Sequence, residues 1–295
     1  MDAILQGLTL QQVILQTLNG LVVGSSIALV ASGLALLFGV LHIINFAQGG
    51  FFMLGAYSVY FLSRATDNYA LSVVVGTLIV AVSGGIVLSV VVWPLLQKSQ
   101  VLTLLATLGL SLIIQQLAVN ILGGDAKLVP PPITMTVPLG PVSYPLYFLV
   151  VTVVGLAVLV AGSFALKYSK YGIWLRAVAQ NRAMAAALGV PVPRVFVLAF
   201  IICTGLAALA GTLLVPLYGV YPTLGTDVIL SAFIVVVAGG MGSLRGAALV
   251  AILVGEVQSL GSLLVKPSVM QLCLFALVIV LLMLRSQRQT ALVRL

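Results

Sequence analysis

Long apolar runs separated by short polar stretches make up almost the whole chain. A helix rises about 1.5 Å per residue and needs roughly 20 apolar residues to cross bilayer hydrocarbon. Runs near that length lie at 12–39, 48–62, 70–93, 101–122, 144–166, 195–217, 228–240, 246–264 and 269–284. The pattern predicts an all-α, polytopic membrane helix bundle of about eight or nine spans, formed as a single transmembrane domain over residues 1–295. The segments 48–62, 228–240 and 269–284 are short. The last crosses only if the bilayer thins or flanking residues snorkel. The first two adjoin interruptions and read as half-helices or segments joined to re-entrant turns.

Two interruptions break the apolar pattern. In "FGVLHIINFAQGGFFMLGAY" (38–57), His42, Asn45 and Gln48 recur at three-residue spacing, followed by Gly49 and Gly50. If helical, the three polar side chains share one face. In "VVVAGGMGSLRGAALVAILVGE" (235–256), Gly239, Gly240, Gly242 and Gly246 precede a small-residue helix. Irregular backbone at membrane depth survives only where protein shields it or water reaches it. Two matching interrupted segments, with helices restarting after Gln48-Gly49 and Arg245-Gly246, point to an internal repeat and a transport pathway. Pairs of small residues at Gly20–Gly24, Ala207–Gly211 and Gly242–Gly246 predict close helix packing.

Composition supports the membrane assignment and narrows the chemistry. Apolar residues are 62% and charged residues only 6%, against about 25% charged in soluble domains. The net charge of +8 is a matter of topology and anionic membrane lipids, not of nucleic acid. Residues 167–194 carry Lys167, Lys170, Arg176, Arg182 and Arg194 with no acid, which places this loop in the cytoplasm. Counting spans from there puts the C-terminus inside and the N-terminus outside. Loop 123–143, with Pro130, Pro131, Pro132, Pro138 and Pro141, then lies outside as a stiff segment that is no continuous helix. The N-terminus lacks the basic residues and cleavage pattern of a signal peptide, so the first span serves as the targeting signal.

Membrane-embedded charge is scarce. Glu256 is the one acid well inside an expected span, readable as a pathway residue or as a buried structural acceptor. Asp227 reads as a helix N-cap ahead of the apolar run from Val228. Arg245 falls in the second interruption. Cys203 and Cys273 lie in apolar segments and read as buried side chains, with no metal-ligand spacing. None of the five Lys fits a phosphate-binding loop, and no catalytic constellation is present, so the chain reads as no enzyme. Between Tyr171 and Arg194, "WLRAVAQNRAMAAALGV" predicts one helix ended by Gly189, with Pro191 and Pro193 beyond it. Trp174, Ala177, Val178, Asn181, Ala185 and Leu188 line one face, whose exposed apolar positions suit a protein groove better than a lipid surface.

Three stretches, in order, carry a family resemblance. "FGVLHIINFAQGGFFMLGAY" resembles the "INFAHGE…MxGAY" signature of permease subunits of branched-chain amino-acid ABC importers. "GIWLRAVAQNRAMAAALGVPVPR" resembles their "RAxAxDxxxAxLLGI" cytoplasmic helix, and "AGGMGSLRGA" their "GGxGSxxGA" element. The similarity runs from residue 14 to residue 284 and is nearest the LivH-like half of the permease pair. It implies a type II-like importer permease in the bacterial inner membrane, paired with a second homologous permease. Two cytoplasmic ATP-binding subunits would use ATP and Mg, this chain binding no cofactor of its own. A periplasmic or lipid-tethered binding protein would deliver substrate. The helix 176–188 would couple to an ATPase through Arg176, Ala177, Gln180, Asn181, Arg182, Met184, Ala185, Leu188 and Gly189. The substrate pathway would be bordered by His42, Asn45, Phe46, Gln48, Gly49, Gly242, Ser243 and Glu256. Where the signature has "AHGE" this chain has "AQGG", losing a His and an acid, which leaves the cargo open between a hydrophobic amino acid and urea, an amide or an aromatic acid. A stand-alone secondary transporter or channel is the remaining alternative.

Overall fold

The computed structural model describes residues 10–95, 98–266 and 269–276. Every expected run falls on a helix: α1 (Leu10–Leu41), α2 (Ala47–Thr66), α3 (Tyr69–Val92), α4 (Gln100–Leu122), α5 (Leu146–Tyr168), α8 (Val192–Tyr218), α9 (Leu224–Gly239) and α10 (Leu244–Gly261). Residues 269–276 are helical too, and the rest of the expected run to 284 lies outside the described residues. Among the described residues, six helices are long and apolar enough to cross a membrane: α1, α3 with its 3-10 extension to Leu95, α4, α5, α8 and α10. The chain is a polytopic membrane helix bundle. Two short helices, α6 (Lys170–Gln180) and α7 (Arg182–Ala187), occupy the basic loop. The proline-rich loop is closed by a hairpin, β1 (Thr136–Leu139) and β2 (Val142–Pro145), antiparallel with Thr136 opposite Pro145.

The bundle is built from two similar halves. In the first, α1 is followed by an irregular stretch, then α2, a tight turn and α3. In the second, α8 is followed by an irregular stretch, then α9, a tight turn and α10. The long helix of each half packs on the last helix of the other. Gly20 lies against Glu256 and Gly24 against Ile252, so α1 and α10 run antiparallel. Gly85 lies against Ile201 and Gly84 against Thr204, while Thr77 reaches Thr212, so α3 and α8 are antiparallel in the same way. Chain direction alternates from span to span, which leaves the halves inverted relative to each other. An internal repeat is therefore present, but with another partner for the first interruption than the sequence suggested. Residues 42–46 correspond to 219–223, and the Gly239–Ser243 turn corresponds to the turn after α2. Glycine signals marked the turn because it needs Gly240 (φ +96) and Gly242 (φ +92) in the left-handed region. They missed the second irregular stretch because only Gly219 (φ +70) marks it.

Small residues set the spacing at the centre. Ala28, Ala31, Ala35, Ala199, Ala207, Ala208 and Ala210 are fully buried. A Cβ on Gly55 would meet the Ala208 Cα at 2.7 Å, and Gly211 sits against the Phe52 backbone. Without a hydrophobic drive between helices in lipid, such close packing is the main cohesive term. By contrast α4 and α5 are mostly uncovered, with Leu105, Leu112, Val153 and Val160 facing outward. Cys203 is buried as expected, whereas Cys273 is exposed.

Candidate pathway and coupling sites

α1 ends where His42 takes φ +56, and residues 42–46 run without helix until α2 begins. His42, Asn45 and Gln48 therefore share no helical face, contrary to the spacing. Their environments differ accordingly: His42 is exposed, while Asn45 and Gln48 are buried. The amide of Asn45 accepts from Ala47 N at 3.1 Å and so holds the first turn of α2. Gln48 Nε2 donates to the Cys203 carbonyl at 2.8 Å, and Cys203 Sγ donates to the Gly33 carbonyl at 3.0 Å. A Cβ on Gly33 would meet Gln48 Nε2 at 2.6 Å and the Cys203 carbonyl oxygen at 3.1 Å, so a side chain there would push on this contact.

This contact fixes the depth at which α2 begins. From Gly33 to the end of α1 is about 12 Å of helix, and from the start of α8 to Cys203 about 16 Å. Gln48 touches both helices at these points, so α2 starts inside the bundle. The chain must climb back from Leu41 as irregular backbone, whose polar groups need partners. Thr107 of α4 supplies one: Phe46 N donates to Thr107 Oγ1 at 3.3 Å, and Thr107 Oγ1 donates to the Ile44 carbonyl at 3.4 Å. Gly49 then abuts Gly225 at the start of α9, and Phe46 lies 6.0 Å from Phe233 between ring centroids. The stretch 219–223 is tied differently: Lys127 and Val220 exchange two backbone hydrogen bonds of 2.8 Å, which pins it to the proline-rich loop.

At the α6–α7 end, Gly39 packs on Gly242, so the end of α1 touches the α9–α10 turn. A cavity of about 560 Å³ opens beside them, lined by Gly39, Lys167, Arg176, Gly242 and Arg245 among others. Ser243 caps α10 by accepting from Gly246 N at 3.1 Å. Of the eight pathway candidates, Asn45, Phe46, Gln48 and Gly49 lie together within the bundle, whereas His42, Gly242 and Ser243 are exposed at this end. Glu256 stands apart, half-buried over Gly20 near the opposite end.

The expected single helix 176–188 is two helices. Asn181 takes an extended conformation (φ −153, ψ 106), and its side chain accepts from Met184 N at 2.9 Å, starting α7 anew. Asn competes well for N-cap positions and poorly for helix interiors, which explains the break. The stop at Gly189 (φ +81) is as predicted. The break turns Ala185 inward with Leu175 and Val178, and leaves Met184 and Leu188 exposed. Arg176, Gln180, Asn181 and Gly189 are exposed as well, with Ala177 and Arg182 half-buried. Arg176 donates to the Leu166 carbonyl and, at 3.1 Å, to the Lys167 carbonyl, closing the end of α5. Arg182 lies 4.6 Å over the Phe196 ring and anchors α7 to α8.

A second cavity, of about 720 Å³, lies at the hairpin end between α1, α8, α9, α10 and the 269–276 stretch. Its wall carries Gln16, Asn19, Tyr221, Asp227, Ser231 and Ser259, together with Val23, Ile27 and Leu214. Ser259 Oγ lies within hydrogen-bond distance of both the Gln16 carbonyl (2.6 Å) and Gln16 Oε1 (2.7 Å), and Tyr144 OH donates to Asn19 Oδ1 at 2.8 Å. Burial pushes the Tyr144 phenol up to about 12, so it stays a neutral donor. Tyr221 OH donates to Asp227 Oδ2 at 3.3 Å, and burial, then the nearby carboxylate, raise the Tyr221 phenol above its ordinary value. Asp227 sits in the first turn of α9, not at the N-cap, which is Thr223. Sequence reasoning missed this cavity because five elements build it. The available signal was Gln16 and Asn19, polar residues three apart near the start of a long apolar helix.

Comparison with known proteins adds three findings. Residues 16–284 match the sequence model for the permease component of branched-chain amino acid transport systems. The chain is 29% identical over 284 residues to the high-affinity branched-chain amino acid transport system permease protein LivH of Salmonella typhimurium, covering 91% of this chain and 92% of the relative. It is 28% identical over 287 residues to the corresponding protein BraD of Pseudomonas aeruginosa, covering 92% of this chain and 93% of the relative.

Proposed function

The chain belongs to the family of permease components of branched-chain amino acid transport systems, and from that premise we propose that it is the membrane pathway subunit of an ATP-driven, binding-protein-dependent importer of branched-chain or other hydrophobic amino acids. A second homologous permease pairs with it, two cytoplasmic ATPases use ATP and Mg, and a periplasmic or lipid-tethered binding protein delivers cargo. The observation that carries the reading is the α6–α7 end. Exposed Met184 and Leu188 project from a short helix that is firmly capped at both ends and surrounded by basic residues. A rigid, exposed apolar knob on a basic membrane face suits the groove of a soluble partner better than water.

In this reading the α6–α7 end is cytoplasmic, because the Lys and Arg excess lies there. His42, Gly242 and Ser243 belong to the cytoplasmic mouth. Asn45, Phe46, Gln48 and Gly49 form the wall that holds the start of α2 in place. Glu256 supports the α1–α10 contact. Closure of the ATPases moves α7, and α8 carries that motion inward through the Arg182–Phe196 contact.

The test is uptake of labelled leucine, isoleucine and valine by proteoliposomes holding the permease pair, its ATPases and its binding protein. The expected result is uptake that needs ATP and the binding protein. Equal uptake without ATP would overturn the reading in favour of a stand-alone transporter, and uptake of urea, amides or aromatic acids alone would reassign the cargo.

A further inference from the structure

The 720 Å³ cavity at the hairpin end is the size of a small-molecule site and amphipathic in a particular way. Among the described residues that line it, Asp227 is the one charged side chain. It is exposed, and its bond to Tyr221 at 3.3 Å is long, so the carboxylate keeps acceptor capacity. Gln16 presents the opposite chemistry. Ser259 Oγ lies 2.6 Å from the Gln16 carbonyl and 2.7 Å from Gln16 Oε1, and Asn19 Nδ2 donates to Oε1 at 3.4 Å, which turns Oε1 toward these groups and presents Nε2 as a donor. Val23, Ile27 and Leu214 add apolar surface to the same cavity.

We propose that this cavity is a binding site for the intact zwitterion of a hydrophobic α-amino acid, with Asp227 receiving the ammonium, Gln16 Nε2 the carboxylate, and Val23, Ile27 and Leu214 the side chain. The proposal rests on the import reading above, and locates where that cargo enters this chain. One acid and one oriented amide donor match the two ends of a zwitterion. Urea or a simple amide would leave Asp227 without its cation, and an aromatic acid would face it with like charge.

The experiment uses the assembled transporter in lipid nanodiscs. The background carries Cys273→Ser, which removes the exposed thiol and keeps the buried Cys203. Val228→Cys, on the cavity wall beside Asp227, is labelled with a negatively charged methanethiosulfonate. L-Leucine is expected to slow labelling by about tenfold or more at millimolar concentration, and its 2-oxo acid, which lacks the ammonium, to leave it unchanged. Asp227→Asn is expected to abolish the protection, and Gln16→Glu, which retains the acceptor for Ser259, to weaken it. Protection by the 2-oxo acid equal to that by leucine, protection that survives Asp227→Asn, or no protection at all overturns the site. ATP-driven leucine uptake, measured on the same protein variants reconstituted in proteoliposomes, separates the two claims. Uptake without protection overturns the site alone, and absence of uptake overturns both.

Discussion

Gly49 and Gly225 meet backbone to backbone where the two inner helix starts come together, and neither position has room for a side chain. A Cβ on Gly225 would meet the Gly49 carbonyl carbon at 2.6 Å, where only movement of α2 or α9 could relieve it. Gly225→Ala is expected to destabilise the bundle by ~1–3 kcal/mol, as overpacking does. Gly109 of α4 is the control, because a Cβ there meets nothing within 4 Å. Gly109→Ala should be neutral or stabilising by up to ~1 kcal/mol, since Ala is the better helix former. Thermal unfolding of the two variants in the same detergent checks the contrast, and a lower midpoint for Gly109→Ala would contradict it. Neither role was legible in the sequence. Twenty-nine glycines are spread through the chain, and spacing alone cannot separate those that touch a neighbouring helix from those that face lipid.

At the scale of the element, the spans were readable and the breaks were only partly so. A helix that crosses a membrane must be apolar for its whole length, so α1, α3, α4, α5, α8 and α10 announce themselves. The stretch 42–46 announced only that something polar occurs there. Its irregular path depends on Thr107 and Cys203, far away in sequence, and no local pattern encodes them. The α6–α7 break was different, because the cap at Asn181 is a local signal overlooked within a strongly helical composition. It leads to a prediction. Asn181→Ala removes the cap on Met184 N and supplies the residue most compatible with a continuous helix. Fusing α6 and α7 would swing Met184 and Leu188 away from their present direction. Binding-protein-stimulated ATP hydrolysis should fall several-fold, by the ~1 kcal/mol scale of a cap and the loss of the knob, while thermal stability changes little. Asn181→Ser, which restores a cap, should recover most of the activity. Equal loss in both variants would point to a direct contact of Asn181 instead.

For the whole molecule, the inverted halves place the two irregular stretches at opposite ends, each pinned by a loop or helix outside the repeat. Thr107 of α4 holds 42–46, and Lys127 of the proline-rich loop holds 219–223 through Val220. The two cavities follow the same division, one beside the α6–α7 pair and one beside the β-hairpin. The proposed import requires these ends to face different compartments. The basic excess at 167–194 predicts that the α6–α7 end faces the cytoplasm. Reporters inserted near residue 180 and near residue 133 should therefore read cytoplasmic and extracytoplasmic respectively. A reporter near 68, in the turn between α2 and α3, should agree with 133, because the span order puts that turn at the hairpin end. The reading at 68 is the sharper of these. If α2 began and ended on one side as a re-entrant loop, residue 68 would read cytoplasmic and the inverted repeat would be lost. With α2 starting inside the bundle and running on to Thr66, the helix is about 30 Å long, enough to carry the chain from the level of Gln48 to the far surface.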